Sequence, residues 1–454
     1  MSKHSLLGIL LCSICAPVLL GQVQATLPAS PMQTQATASS PATPSADEPL
    51  TRQQAEQIAL KNNPRISVAA LIALAQKQVV RETRSYELPS LYGNATGVGA
   101  EEASRLSSGA LSASRLLNHV GAGVELSQLI TDFGRTHNLV ASSSLQAKAA
   151  EQNAEATRED IVFATDLAFY NALEAQATFQ VANSTVQERQ NVGDQVTALT
   201  KSKLKSTLDQ SFAEVNLSQA KLLVLDSQNQ ADAAMASLND ILGMTTNHSY
   251  HLVDDPVVSA PIADSVEAVI ALALQQRPDL KALRLTHDAD VRFSHAQHEQ
   301  LLPIVSAQGV VGAAPVGSST YFLQNWYGAA GVNVRIPIFN GFKFHAEAAE
   351  ADLKAKASDE QSRQLTDRIV RDVRTAWLST MTAQQRMSVT AELLKEANTA
   401  LDLAQTRYRL GLSSIVEFSQ AQLQQTQAQI EDANARFEYE ADLSTLRFQS
   451  GSQP

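Results

Sequence analysis

Two rhythms of polar and apolar positions alternate along this chain, and the pair of them occurs twice. From Leu50 to Tyr86, and again from Val266 to Leu301, apolar residues recur at helical spacing, interrupted at Asn63-Pro64 and Arg277-Pro278. Each stretch runs through a Leu-Pro pair (Leu88-Pro89, Leu302-Pro303) into a glycine-rich segment of period two. Tyr92, Asn94, Thr96 and Val98 alternate with Gly93, Ala95, Gly97 and Gly99, and Val120, Ala122, Val124 and Leu126 alternate with Gly121, Gly123, Glu125 and Ser127. The second pass has Val305, Ala307, Gly309 and Val311, then Trp326, Gly328, Ala330, Val332, Val334 and Ile336. This is strand periodicity in segments of about nine to eleven residues, the length at which a tilted strand crosses an outer membrane.

After each pair of strands comes a long Ala/Gln/Glu-rich segment, Arg135 to Thr200 and Lys343 to Arg409. The second carries a heptad ridge of Val373, Thr380, Met387, Leu394, Leu401 and Tyr408. Beside it runs a row of mostly small residues, Ile369, Ala376, Ala383, Thr390, Ala397 and Ala404, which lets helices approach closely. At about 1.5 Å per residue such a helix is roughly 100 Å long. Each segment ends in a short turn (Lys201 to Ser206, Leu410 to Ser413) and returns as a helix of about 35 residues. The pattern predicts elongated antiparallel coiled coils with strands at one end.

The repetition is a tandem duplication. Pro64 and Pro278, like Pro89 and Pro303, stand 214 residues apart. Further along, Gly134 and Gly341, Tyr170 and Trp377, and Leu208 and Ile415 are matched at 207. Two repeats follow, 50–243 and 265–450.

Composition narrows the class. Lys and Arg total 35 against 46 Asp and Glu, a net charge of −11 that disfavours nucleic acid as a partner. Lys3 and His4 precede an apolar run from Leu6 to Leu20, and small residues at Val23 and Ala25 complete an export-signal pattern over 1–25. Cys12 and Cys15 both fall inside it, which leaves the exported chain without disulfide, thiolate ligand or thiol nucleophile. The Ala/Thr/Ser/Gln/Pro stretch 26–49 reads as a disordered linker. Beyond the leader no apolar run is long enough for a spanning helix, so a membrane crossing must use strands. Four strands cannot close a barrel alone, and open edges are not tolerated in lipid. Two copies would supply eight strands and three would supply twelve.

The duplicated halves, the Leu-Pro openings, the exits at Leu129-Ile130-Thr131-Asp132-Phe133-Gly134 and Ile336-Pro337-Ile338-Phe339-Asn340-Gly341, and the turn segment Arg407 to Glu417 together resemble the TolC-type outer-membrane efflux proteins. The resemblance implies a mainly α fold with a small β part. Long antiparallel coiled-coil helices form an α-barrel, and four strands per chain contribute to a twelve-stranded transmembrane β-barrel in a homotrimer. It places the protein in the outer membrane of a Gram-negative cell, extending into the periplasm. It further implies a passive exit duct docked on a periplasmic adaptor protein and, through it, on an inner-membrane transporter. Outer-membrane lipid surrounds the barrel.

In that family, acidic residues after the second turn narrow the pore; the matching positions here are Glu417 and Gln420. A ring of Glu417 carboxylates implies a cation-preferring constriction. A polar network closing the tip maps onto Asp209 and Tyr408, but its basic member falls on Ser413, leaving Arg407, Arg409 or Lys205 for that part. Leu410, Gly411 and Leu412 match the adaptor-docking tip, while Leu204 stands where a turn glycine is expected in the first half. Trp326, Tyr327, Tyr321, Phe322 and Tyr92 are candidates for an aromatic girdle.

No catalytic constellation, phosphate loop or cofactor signature emerges, so no enzymatic activity, metal or cofactor is expected. His248-x-x-His251 and His295-x-x-His298 lack a third ligand in the pattern. The alternatives are an exit duct for type I protein secretion and a periplasmic coiled-coil scaffold without a pore.

Overall fold

The computed structural model describes residues 49–98, 119–245, 248–254, 265–313 and 326–452. The expected leader 1–25, nearly all of the linker, Tyr321 and Phe322 lie outside the described residues. Pro49, expected as the end of the linker, instead opens a two-residue strand β1 (Pro49–Leu50) that pairs in parallel with β4 (His251–Leu252). Leu50, Tyr250 and Leu252 are buried with Ala55, Ala59, Phe169 and Leu238, fastening the start of the first repeat to the end of its last helix.

Thr51 begins helix α1 (Arg52–Asn62) with a reciprocal capping box involving Gln54. The helix ends at Asn63 because Pro64 cannot continue its hydrogen bonding. Asn63 then caps α2 (Pro64–Ser85), its Oδ1 accepting from Arg65 N at 3.0 Å, while its Nδ2 donates to Ile241 O at 2.9 Å. The second half repeats this break, with α5 (Val266–Gln276) and α6 (Pro278–His298) meeting at Arg277.

Strands β2 (Ser90–Val98), β3 (His119–Thr131), β5 (Ile304–Ala313) and β6 (Trp326–Arg335) form one antiparallel sheet in the order β2-β3-β5-β6. Its register sorts the side chains. One face carries Leu91, Ala95, Val120, Ala122, Val124, Leu126, Val305, Ala307, Val311, Trp326, Ala330, Val332 and Val334. The other carries Ser90, Asn94, Thr96, Glu125, Ser127, Ser306, Gln308, Asn333 and Arg335. Gly312 allows the close approach of β3 and Tyr327, since a Cβ there would lie 2.7 Å from Ala122 O and 2.9 Å from Tyr327 Oη.

Helices α3 (Arg135–Lys201) and α7 (Lys343–Arg409) each run 67 residues, and α4 (Thr207–Ile241) and α8 (Ile415–Ser450) return beside them. Among the described residues no helix is long and apolar enough to cross a membrane. The small-residue row of α7 is its buried face: Ile369, Ala376, Ala383, Thr390, Ala397 and Ala404 are all buried, with Val373, Thr380 and Tyr408 of the adjoining ridge. α3 packs on α4, α8, α6 and α2, so the two halves share one helical layer.

The structure corrects the repeat register. α1 and α5, like β2 and β5, begin 214 residues apart, as the prolines indicate. The long helices, however, begin and end 208 apart and not 207. Phe133 and Gly134 both have positive φ (58° and 111°), as do Gly341 and Phe342 (65° and 64°). Two successive left-handed residues open each long helix, and the glycine fills the second position in one half and the first in the other. Matching glycine to glycine therefore slips by one. In the corrected register Ile161, Thr165, Ala168 and Phe169 answer Ile369, Val373, Ala376 and Trp377.

Candidate functional site

The turns joining α3 to α4 and α7 to α8 are built alike. Leu204 N donates to Leu199 O and Lys203 N to Thr200 O; Leu412 N donates to Arg407 O and Gly411 N to Tyr408 O. Both are Schellman closures whose left-handed residue is Lys203 (φ 61°) in the first turn and Gly411 (φ 74°) in the second. The expected correspondence of Leu204 with Gly411 is thus displaced by one. A lysine adopts the conformation a glycine would hold, and Leu204 corresponds to Leu412.

Beyond the turns, Ser206 and Ser414 cap α4 and α8, accepting from Asp209 N at 3.1 Å and Glu417 N at 3.3 Å. Asp209 completes a capping box, its Oδ2 accepting from Ser206 N at 3.0 Å and from Ser206 Oγ at 2.8 Å. Asp209 and Glu417 are therefore structural counterparts at the third helical position. Gln420 is exposed one turn after Glu417 on the same side of α8.

Tyr408 is the centre of the tip. Its ring stacks on Phe418 with centroids 5.4 Å apart and planes 11° apart, over a core of Val196, Ala213, Ala404, Ile415 and Ala421. Lys205 reaches across from the first turn, its Nζ 3.8 Å from the Tyr408 ring centroid and donating to Tyr408 O at 3.4 Å. The Tyr408 hydroxyl is buried with no hydrogen-bond partner among the described residues. Burial, aided by the charge of Asp209, pushes its pKa up to about 12.

Asp209 thus acts on Tyr408 through its field, while its hydrogen bonds go to its own helix. Arg407 Nε lies 3.5 Å from Glu417 Oε1, and Arg409 Nη2 is 3.5 Å from Thr406 Oγ1. Ser413, standing where the resemblance has a basic residue, has a buried hydroxyl without partner among the described residues. Leu410 and Leu412 are 68% and 67% exposed beside Gly411. The structure therefore gathers Lys205 with Tyr408 and Arg407 with Glu417, and leaves Leu410 to Leu412 bare.

Sequence reading missed the groups that fasten α3 and α4 to α8 above the tip. Arg189 Nη2 donates to Gln422 O at 2.9 Å and to Thr426 Oγ1 at 3.0 Å, and burial lowers its pKa. Asn216 Nδ2 donates to Ser419 Oγ at 2.7 Å. A charged residue on the buried heptad face was the available signal for Arg189; Asn216 gives none.

At the sheet, period two separates the candidate girdle. Trp326 lies on the apolar face, whereas Tyr92 and Tyr327 lie on the polar one. Adjacent strand residues cannot share a face, so Trp326 and Tyr327 cannot belong to one belt. Two of the four paired histidines have other contacts: His298 Nε2 is 3.1 Å from Asp352 Oδ2, and His248 stacks on Tyr250.

The family profile described as outer membrane efflux protein matches residues 56–244 and 269–452. The chain is 23% identical over 407 residues to the outer membrane protein TolC of Escherichia coli, covering 85% of this chain and 79% of that one. It is also 23% identical to the probable efflux pump outer membrane protein TtgC of Pseudomonas putida, covering 82% and 76%. The solved CmeC outer membrane channel of Campylobacter jejuni shares the fold with a TM-score of 0.78 at 18% identity, covering 88% of this chain and 85% of that one.

Proposed function

The chain belongs to the outer membrane efflux protein family, and we propose that it is the passive outer-membrane exit duct of a tripartite efflux system for small molecules. The family is one of outer-membrane channels and not of enzymes, and the protein resides in the outer membrane and extends into the periplasm.

The observation that carries the reading is the two-faced sheet. One face is apolar apart from Gln128 and Thr131 at the helix-side end of β3, the other carries Asn94, Glu125, Gln308 and Arg335, and β2 and β6 have no strand beyond them among the described residues. Such a sheet is stable in lipid when copies join edge to edge, apolar side outward, around a wet lumen. Three copies give twelve strands and room for water, so the assembly is a homotrimer.

Apolar residues left outside the chain's own packing support this association. Leu208, Val215 and Leu222 form an exposed heptad stripe on α4, and Val416 and Leu423 repeat it on α8 at the 208-residue spacing. The helices continue the barrel as a periplasmic tube narrowed at the turns by Glu417 and Gln420. Asp209, Tyr408, Arg407 and Arg409 hold the narrowed tip, with Lys205 as the link between the two turns of one chain. Leu410, Gly411 and Leu412 receive the periplasmic adaptor, which connects the duct to an inner-membrane transporter.

Light scattering of the detergent-extracted complex tests the assembly. A mass of three chains supports a twelve-stranded duct. Two chains would give eight strands and a filled interior, and a monomer would leave the edges open; either would sink the proposal.

A further inference from the structure

The chain as a whole is acidic, yet its tip is not. Residues 201–209 and 407–417 carry Lys201, Lys203, Lys205, Arg407 and Arg409 against Asp209 and Glu417. Five cations against two anions leave three net positive charges per chain on the two turns, in a protein whose net charge is −11.

The geometry weakens the two acids further. Glu417 faces Arg407 at 3.5 Å, and Asp209 is engaged by the backbone N–H and hydroxyl of Ser206. Both acids sit in the first turns of α4 and α8, whose positive macrodipole ends are offset across each turn by the negative ends of α3 and α7. Arg407 is engaged by Glu417, while Lys201, Lys203 and Arg409 are exposed and Lys205 is held by the Tyr408 ring and carbonyl. The repeat supplies three lysines on a turn where its counterpart supplies two arginines, so the excess comes from both coiled coils of the chain.

We infer that the periplasmic mouth of this duct prefers anions. The inference rests on the reading of these turns as the mouth of a trimeric duct. It runs opposite to the cation preference expected from Glu417 alone. In a trimer the turns place nine net positive charges around one opening, three from each chain. At an ionic strength of about 0.1 M, charges within about 10 Å of the passing ion are felt with little screening. Rings of Lys and Arg select anions, and a mouth of one sign concentrates its counter-ions.

The test is the reversal potential of the purified trimer in a planar bilayer under a KCl gradient, wild type against the double variant Lys201→Glu, Lys203→Glu. The double variant takes the turns from three net positive charges to one net negative charge per chain without touching the Tyr408 core. Wild type is expected to have a chloride-to-potassium permeability ratio above unity, falling toward unity as salt rises to about 1 M, where the screening length is only about 3 Å. The double variant is expected to shift the ratio below unity. A wild-type channel that prefers potassium, or a ratio that the double variant leaves in place, overturns the inference while leaving the duct intact. A trimer shown to be inserted but silent, in wild type and variant alike, overturns the duct reading and the inference with it.

Discussion

Replacing Tyr408 by Phe removes a single oxygen, and the structure makes the consequence depend on what surrounds the chain. Within one chain that hydroxyl is buried and unpartnered, while the ring it belongs to is stacked on Phe418 and covered by Lys205. A buried hydroxyl without a partner costs about 1–3 kcal/mol, so for an isolated chain Tyr408→Phe should be stabilising. If Tyr408 closes the tip of the trimer, its hydroxyl, inaccessible within the single chain, must be uncovered there to meet an acceptor on a neighbouring chain. The variant then loses about 1 kcal/mol at each of three sites. The closed state would weaken by about 3 kcal/mol, roughly a hundredfold in the ratio of open to closed. Single-channel recording gives that ratio directly, and denaturant titration of the same protein reports stability. A hundredfold rise in open probability is expected, without collapse of the fold. Unchanged gating together with raised unfolding stability would refute the assignment of Tyr408 to tip closure.

The sheet makes a sharper demand of two neighbouring residues. Val124→Arg, on the apolar face, should cost about 2–4 kcal/mol of barrel stability per chain and reduce assembly into outer-membrane trimers, whereas Glu125→Arg on the opposite face should assemble normally. Quantifying folded trimer in isolated membranes checks both. Lys203→Gly should stabilise the tip by up to about 1 kcal/mol, since it relieves the left-handed lysine at φ 61° against the entropy a glycine adds to the unfolded chain. Denaturant midpoints would register the gain. Burial and the adjacent Asp166 raise the Glu56 pKa to about 7 despite Arg52, which bonds both carboxylates. A carboxyl with a raised pKa is most compatible with the fold when protonated. Its contribution is therefore full below the ordinary value of 4.5 and is lost as pH rises through about 7. Thermal midpoints should be higher at pH 5 than at pH 8 on this account, with the difference reduced in Glu56→Gln.

Much of the architecture was legible because its signals are long or covalently rigid. Pro64 and Pro278 end helices wherever they fall, and period two survives in the strands because one face meets an apolar environment. The small-residue row of α7 was legible for a similar reason: close helix packing tolerates little else. What escaped depended on backbone conformation or on partners from distant elements. Glycine identity suggested a 207-residue repeat, but Phe342 and Lys203 adopt left-handed conformations that glycine usually fills, and these fix the spacing at 208. The girdle failed on Trp326 and Tyr327, which composition groups and the pleat separates. At the tip, the heptad located Tyr408, but its packing against Phe418 and Lys205 arises where two coiled coils meet. The capping role of Asp209 was not read from the sequence, although the Ser206-x-x-Asp209 spacing carries it, and the conformation of the turn before it left no signal.

The measurement that bears most directly on the central claim is the conductance of the purified, exported chain reconstituted as a trimer in a planar bilayer. A duct closed only at its tip predicts discrete unitary currents that become larger or longer-lived in Tyr408→Phe. Inserted trimers of wild type and Tyr408→Phe that carry no current would contradict it and leave the long helices as a scaffold without a lumen.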